Sequence, residues 1–333
     1  MKAALLTEKG FIIKDVQKPR IGKTEALIRV KSVGICGTDL AIYKGTYKFP
    51  LPRILGHEIA GEIAEIGSNK SKFNIGDRVT TEINITCGKC YYCMHGLKTH
   101  CINRKALGIT EDGGFAEYVK VPIINLHKIP DNITYNQATF IEPLAASIQA
   151  FRLTPIKEKE SFVVVYGTGK MGLLEIQVAK ILGAAKVIAI GRSDSQLKLA
   201  RKLGADVTIN STKEDPIQRV KDETEGLGAD ITVECTGNPE VINKAIKMTR
   251  NRGTVALKST HGIFVNIDIT QIVVREMNLQ GSRCGEFPPA IEMLKNKRVK
   301  VDSLISAEYS LDKIEEAFQF AMKRGVIKVI IHP

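Results

Sequence analysis

The 333-residue chain contains no apolar run long enough to cross a membrane, and its opening MKAALLTEKGF has too short an apolar core for a secretory leader. Those absences set the expectation of a cytoplasmic protein with no membrane partner. Low-complexity tracts and internal repeats are also missing. A disulfide framework is absent as well: seven cysteines is an odd number, and four of them fall within fifteen residues, which suits metal ligation by reduced thiols. Basic charge is plentiful but not concentrated. The net charge is +12, yet Lys and Arg are scattered and the densest run, KNKRVK at 295–300, is short. That distribution reads as a solvated basic surface, and no nucleic-acid partner is expected.

What is present is an ordinary globular composition, 44% apolar and 25% charged, in a chain long enough for two domains with cores of their own. The first part alternates apolar and polar residues in short stretches broken by glycine and proline: EALIRVKSVG, HEIAGEIAEIG, GDRVTTEI, FAEYVKV. This pattern predicts short antiparallel strands. From about residue 160 apolar runs such as FVVVYG and KVIAIG alternate with helix-period segments such as KMGLLEIQVAKILG. Strand and helix in regular succession predict an α/β unit, a doubly wound parallel sheet with helices on both faces. The closing NLQGSR, SLDKIEEAFQFAMKR and KVIIHP fit either the parallel sheet or the first domain, and periodicity does not choose between them.

FVVVYGTGKMG places Gly167, Gly169 and Gly172 as GxGxxG between a buried strand and a helix, with Lys170 and Met171 inside the motif. In that context the first glycine makes a tight turn, the second admits a pyrophosphate and the third lets helix and strand pack closely. The helix N-terminus adds free N–H groups and a positive dipole end. An NAD-selective site usually carries a carboxylate at the end of the following strand to hold the ribose 2′-hydroxyl. Here VIAIGRSD supplies Gly191, Arg192 and Ser193. Glycine leaves room for a 2′-phosphate and arginine forms charge-assisted bonds to it, so NADP(H) is favoured over NAD(H). Asp194 is read as the cap of the next helix.

CGKCYYCMHGLKTHC gives Cys87, Cys90, Cys93 and Cys101, close enough to wrap one tetrahedral zinc with no open position. The site is read as structural. A redox pair or an iron–sulfur centre is the alternative. His95 and His100, in the same lobe, are read as spectators.

Taken together, GICGTDLAIY (34–43), GHEIAGEI (56–63), the cysteine lobe, DGGFAEY (112–118), IEPLAA (141–146) and GTGKMG make the chain resemble the zinc-dependent medium-chain dehydrogenase/reductase family, the alcohol, polyol and threonine dehydrogenases, over essentially its whole length. The resemblance implies a GroES-like, mostly antiparallel β substrate domain over 1–147 and 288–333, with the zinc lobe at 87–101, and a Rossmann domain over 148–287. It implies two zinc ions per chain. Cys36, His57 and Glu142 would hold the catalytic one, with Glu58 as an alternate ligand, and Asp39 would orient His57. It further implies hydride transfer between an alcohol and a nicotinamide cofactor, small-molecule alcohol and carbonyl substrates, and a homo-oligomer, dimer or tetramer.

Several features bear on the substrate and the proton. Thr38 matches the hydroxyl that begins the family's proton relay, but where many relatives carry a relay histidine this chain has Ala41. Glu58, ribose hydroxyls or water are the alternative routes, and the absence tilts the substrate towards polyols, sugars or other secondary alcohols. NAD(H) with a simple or amino alcohol is the variant reading. In VALKSTHG (255–262) Lys258 stands at a sheet end and is a candidate proton carrier or substrate-binding cation. In GSRCGEF (281–287) Arg283 is a candidate contact to substrate or cofactor, and Cys284 is read as packing. A zinc-stabilised nucleic-acid-binding protein is the competing class, but it leaves the glycine motif, GHE and IEPLAA without a purpose.

Overall fold

The computed structural model describes residues 1–67, 72–260 and 262–333, so of VALKSTHG only His261 lies outside the described residues. In chain order the strands are β1 Lys2–Thr7, β2 Gly10–Asp15, β3 Glu25–Gly34, β4 Arg53–Ile54, β5 Glu58–Ile66, β6 Arg78–Thr81, β7 Asn84–Ile85, β8 Lys105–Ala106, β9 Tyr118–Pro122 and β10 Leu126–Lys128. They continue with β11 Phe162–Tyr166, β12 Lys186–Gly191, β13 Val207–Asn210, β14 Ala229–Glu234, β15 Thr249–Leu257, β16 Asn278–Gly281, β17 Ile305–Ser310 and β18 Lys328–His332. The α-helices are α1 Gly37–Tyr43, α2 Tyr91–Met94, α3 Tyr135–Ala138, α4 Ile141–Leu153, α5 Lys170–Ile181, α6 Asp194–Lys202, α7 Pro216–Glu223, α8 Val241–Met248, α9 Ile269–Val274, α10 Phe287–Lys295 and α11 Ile314–Ala321. Among the described residues, no helix is long and apolar enough to cross a membrane.

The chain divides into two compact units. The first takes in residues 1–142, 290–296 and 301–333. Its main sheet runs β10-β6-β5-β3-β18-β17, with β9 also on β3, and every pairing is antiparallel except β17 with β18. Strand β3 is buried on both faces for most of its length, which is why its sequence is more continuously apolar than simple alternation would require. Phe115 and Phe318 are fully buried and meet edge-on at 5.7 Å, an arrangement that suits the aromatic quadrupole. The register pairs Gly34 with Glu58 and Val33 with Ile59. That pairing brings the segment leaving β3 beside the segment entering β5.

The second unit, residues 143–289 and 297–300, holds a six-stranded parallel sheet in the order β13-β12-β11-β14-β15-β16. The β-branched runs of β11 and β12 are buried on both sides, as a helix-covered parallel sheet demands. Helix α5 is buried at every residue from 172 to 179, so it carries the polar Glu175 and Gln177 inside with it. Gln177 finds the Leu173 and Lys300 carbonyls and the Lys300 N–H. NLQGSR supplies β16, the last strand of the parallel sheet, whereas KVIIHP supplies β18, which pairs with β3. Hydrogen-bond pairing thus makes the choice that periodicity left open.

Candidate active site and cofactor motif

In the first unit, β3 ends at Gly34 and the chain turns at Cys36, the extended N-cap of α1. Asp39, fully buried, ties this turn together: its Oδ2 accepts from the Cys36 N–H at 2.8 Å and its Oδ1 from the Gly56 N–H at 3.3 Å. The same Oδ1 lies 3.5 Å from His57 Nδ1. One carboxylate therefore positions both the cysteine segment and the histidine segment. Thr38 Oγ1 is 4.0 Å from the Cys36 sulfur. Gly56 has φ +91°, a left-handed conformation that glycine adopts without strain and that delivers His57 to the start of β5.

Donor atoms of Cys36, His57 and Glu58 all lie within 4.8 Å of one another. His57 is almost fully buried and its Nδ1 has no well-formed hydrogen bond among the described residues. Burial opposes a charge on the imidazole, but the neighbouring Asp39 carboxylate and Cys36 sulfur outweigh it and hold the histidine well above its ordinary pKa. A sulfur, an imidazole nitrogen and a carboxylate oxygen converging on one point, with His57 and Glu58 buried and Cys36 half-buried, fit a zinc ion with a position left for substrate. Glu142 sits in the first turn of α4 and is not one of the three converging donors.

Sequence reasoning missed the partner of Glu58. Lys328 of β18, fully buried, forms an ion pair with Glu58 Oε2, donates to the Thr139 carbonyl at 2.9 Å and lies 4.5 Å from the centre of the Phe140 ring. A buried carboxylate persists only when paired and hydrogen-bonded, and this lysine supplies the pairing. Gly34 makes room for it, since a Cβ there would overlap both Lys328 Nζ and Glu58 Oε2. The available signal was a lysine opening the otherwise apolar strand KVIIH, a place where lysine is rarely buried without a partner.

The four lobe cysteines also converge within 4.8 Å. Cys90 and Cys93 sulfurs are 3.5 Å apart, as are those of Cys87 and Cys101, well beyond an S–S bond of about 2.05 Å. Backbone N–H groups of Lys89 and Cys90 draw the Cys87 thiol down to about 6, whereas burial pushes Cys93 up to about 11. The set fits a four-thiolate zinc. His95 stacks on Tyr91 and His100 faces Tyr92; neither joins the sulfur group.

In the second unit Gly167, at φ +121°, turns the chain after β11. A Cβ at Gly172 would overlap the Gly167 carbonyl, so the third glycine permits the close packing of α5. Around Gly169, the extended N-cap of α5, a Cβ would meet no protein atom within 4 Å, and Lys170 and Met171 form the first helical residues. This is the open backbone a pyrophosphate needs. Gly191 ends β12, and a Cβ there would press on the Thr168 side chain. Arg192 is exposed, and Ser193 is the N-cap of α6 without a side-chain capping bond. Asp194 is therefore the first residue of the helix rather than its cap. Its carboxylate accepts instead from Asn210 Nδ2 at 2.6 Å and Lys213 Nζ at 2.7 Å, contacts made by β13 and the segment after it, which sequence order did not reveal. Lys258, just after β15, directs its ammonium at backbone and hydroxyl oxygens of residues 146, 282 and 283. Arg283 Nη2 lies 3.6 Å from the Cys284 sulfur.

Comparison with known proteins agrees with this arrangement. Residues 22–131 match the alcohol dehydrogenase GroES-like domain and residues 171–296 the zinc-binding dehydrogenase domain. The chain is 36% identical to a sorbitol dehydrogenase of Halalkalibacterium halodurans, over 100% of this chain and 99% of that one. It is 35% identical to an L-threonine 3-dehydrogenase of Pyrococcus horikoshii, over 99% and 98% of the two chains. Its structure matches a zinc-binding dehydrogenase from Sinorhizobium meliloti 1021, solved bound to NADP, with TM-score 0.93, 32% identity and coverage of 100% and 99%. The chain belongs to the zinc-dependent medium-chain dehydrogenase/reductase family and is a zinc-dependent alcohol dehydrogenase that works with a nicotinamide cofactor.

Proposed function

We propose that the enzyme transfers hydride between an alcohol, namely a polyol, a sugar or another secondary alcohol, and NADP(H), giving the ketone from a secondary hydroxyl or the aldehyde from a primary one. The convergence of Cys36, His57 and Glu58 on one buried point carries the reaction class. When bound there, zinc supplies a Lewis acid that acidifies the substrate hydroxyl. Cys36 and His57 hold it, with Glu58 or Glu142 as the third ligand, and the lobe of Cys87, Cys90, Cys93 and Cys101 holds a second, structural ion. Asp39 keeps the His57 ring and the Cys36 turn in register. The Thr38 hydroxyl receives the substrate proton at Oγ1. Ala41 carries no proton acceptor, so the proton leaves towards solvent by another route.

Cofactor choice rests on the end of β12. Gly191 offers no carboxylate to a ribose 2′-hydroxyl, Arg192 offers a guanidinium to a 2′-phosphate, and the nearest acid, Asp194, is already engaged by Asn210 and Lys213. The NADP in the Sinorhizobium structure supports the same choice. The sorbitol dehydrogenase relative and the alanine at position 41 favour a polyhydroxylated substrate. A homo-oligomer is supported by the second unit, where Ile263, Phe264, Ile269, Val273 and Val274 are exposed shortly before edge strand β16. Initial rates over a panel of secondary alcohols, polyols and aldoses, with NAD⁺ and NADP⁺ in separate assays, test the reading. A higher kcat/KM with NADP⁺ on a polyol or sugar is expected; preference for NAD⁺ overturns the cofactor assignment, and turnover of simple alcohols alone overturns the substrate class.

A further inference from the structure

Lys258 leaves the parallel sheet directly after β15, and Ser282 directly after β16. Both therefore stand at the carboxyl edge, where open α/β sheets bind their ligands. The glycine turn after central β11 divides that edge. Strands β12 and β13, with Gly191, serve the adenosine half of a dinucleotide, which leaves β14 to β16 for the nicotinamide half.

At this second half one ammonium joins three segments. Lys258 Nζ donates to the Ala146 carbonyl of α4 at 2.8 Å, the Arg283 carbonyl at 3.2 Å, the Ser282 Oγ at 3.3 Å and the Ser282 carbonyl at 3.4 Å. An ammonium has three protons, and four oxygens already compete for them. The same loop is pressed on α4 a little further along, where a Cβ at Gly285 would overlap the Ala145 carbonyl. Beneath the junction lie two fully buried groups, the Glu175 carboxyl and the Ser147 hydroxyl, neither with a well-formed hydrogen bond among the described residues. Burial holds that carboxyl up to about 8, with Lys258 and Ser147 offsetting part of the effect.

We propose that Lys258 is a positioning residue for the nicotinamide half of the cofactor: it pins the 282–285 loop onto α4 and so sets the carboxyl edge beyond β15 and β16, rather than carrying the substrate's proton. This rests on the dinucleotide assignment above. The test measures, for wild type, Lys258→Met, Lys258→Arg and Gly285→Ala, the Kd of NADPH and of adenosine 2′,5′-bisphosphate, which lacks the nicotinamide half, with NADH and 5′-AMP in parallel. Lys258→Met is expected to weaken the dinucleotide about tenfold, leave the adenosine fragment within about twofold, and keep the shape of the kcat pH profile. Lys258→Arg is expected to recover most of the affinity. Gly285→Ala, which displaces the loop without touching the ammonium, is expected to give the same selective loss. Equal weakening of dinucleotide and fragment, an unchanged dinucleotide Kd in Lys258→Met whatever its pH profile, or a silent Gly285→Ala overturns the proposal. Wild type binding neither dinucleotide overturns the cofactor assignment itself, and the proposal with it.

Discussion

The two candidate metal sites of this chain are built in opposite ways. The lobe gathers Cys87, Cys90, Cys93 and Cys101 from one stretch of fifteen residues closed off by the β7–β8 pair, and its sulfurs meet in pairs 3.5 Å apart. The centre at Cys36 and His57 depends on the β3–β5 register, on Asp39 bridging two segments, and on Lys328 arriving from the far end of the sequence. A local site places its ligands by chain geometry alone, whereas an assembled site must also compensate the charges it buries. The nucleotide unit repeats the contrast: the glycine turn is local, while the junction of Lys258 and Glu175 is assembled.

Breaking the local group should cost stability and spare chemistry. Cys93→Ser is expected to lose one zinc per chain and to lower the melting temperature more than any other single change considered, because structural zinc binding is worth about 10 kcal/mol or more to a small lobe. Turnover per correctly folded molecule should persist; metal analysis, calorimetry and active-site titration check this. Breaking the assembled group should do both kinds of damage. Lys328→Met leaves Glu58 buried without its cation and is expected to cost about 3–5 kcal/mol in denaturant unfolding. The double variant Glu58→Gln with Lys328→Met should recover much of that stability. If it does not, the two residues are not acting as a pair.

Glu175 gives a pH-dependent version of the same contrast. The folded chain keeps its proton up to about 8, whereas an ordinary carboxyl releases it near 4.5. Folding therefore takes up a proton between those values, and stability should fall as pH rises through that window, by on the order of a few kcal/mol. Glu175→Gln should flatten the fall when urea midpoints are measured from pH 5 to 8.5. The smallest effect is expected at the exposed end of β12. Arg192→Ala should lower the ratio of kcat/KM for NADP⁺ to that for NAD⁺ by about tenfold, with no change in melting temperature. An unchanged ratio assigns the arginine to the solvated surface.

What the sequence disclosed follows the same division. GTGKMG, the four cysteines and the alternation of strand and helix are short-range patterns, and each was legible in full. Cys36, His57, Thr38 and Asp39 were legible through family motifs, and the structure brings them to one corner of the first unit. Glu142 was expected as a ligand and Glu58 as its alternate because the family motifs name both; that Glu58 is the carboxylate grouped with Cys36 and His57 follows from the β3–β5 pairing and the space left by Gly34. Lys328 lies 270 residues from its partner, and no period or spacing connects the two. Asp194 was read as a helix cap because capping is a local rule, and it was displaced by the distant partners Asn210 and Lys213. Lys258 stood out in the sequence only as a lysine at a strand end, read as a proton carrier or substrate-binding cation. The oxygens of Ala146, Ser282 and Arg283 that its ammonium faces come from distant segments that no spacing connects.

Zinc content per chain, measured alongside polyol oxidation for wild type and His57→Ala, tests the assembled centre most directly. Two zinc ions are expected in wild type and one in the variant, with the lobe still loaded and turnover lost by at least about a thousandfold. Two zinc ions in both proteins, or activity that survives the loss of His57, would contradict the placement of the catalytic metal at Cys36 and His57.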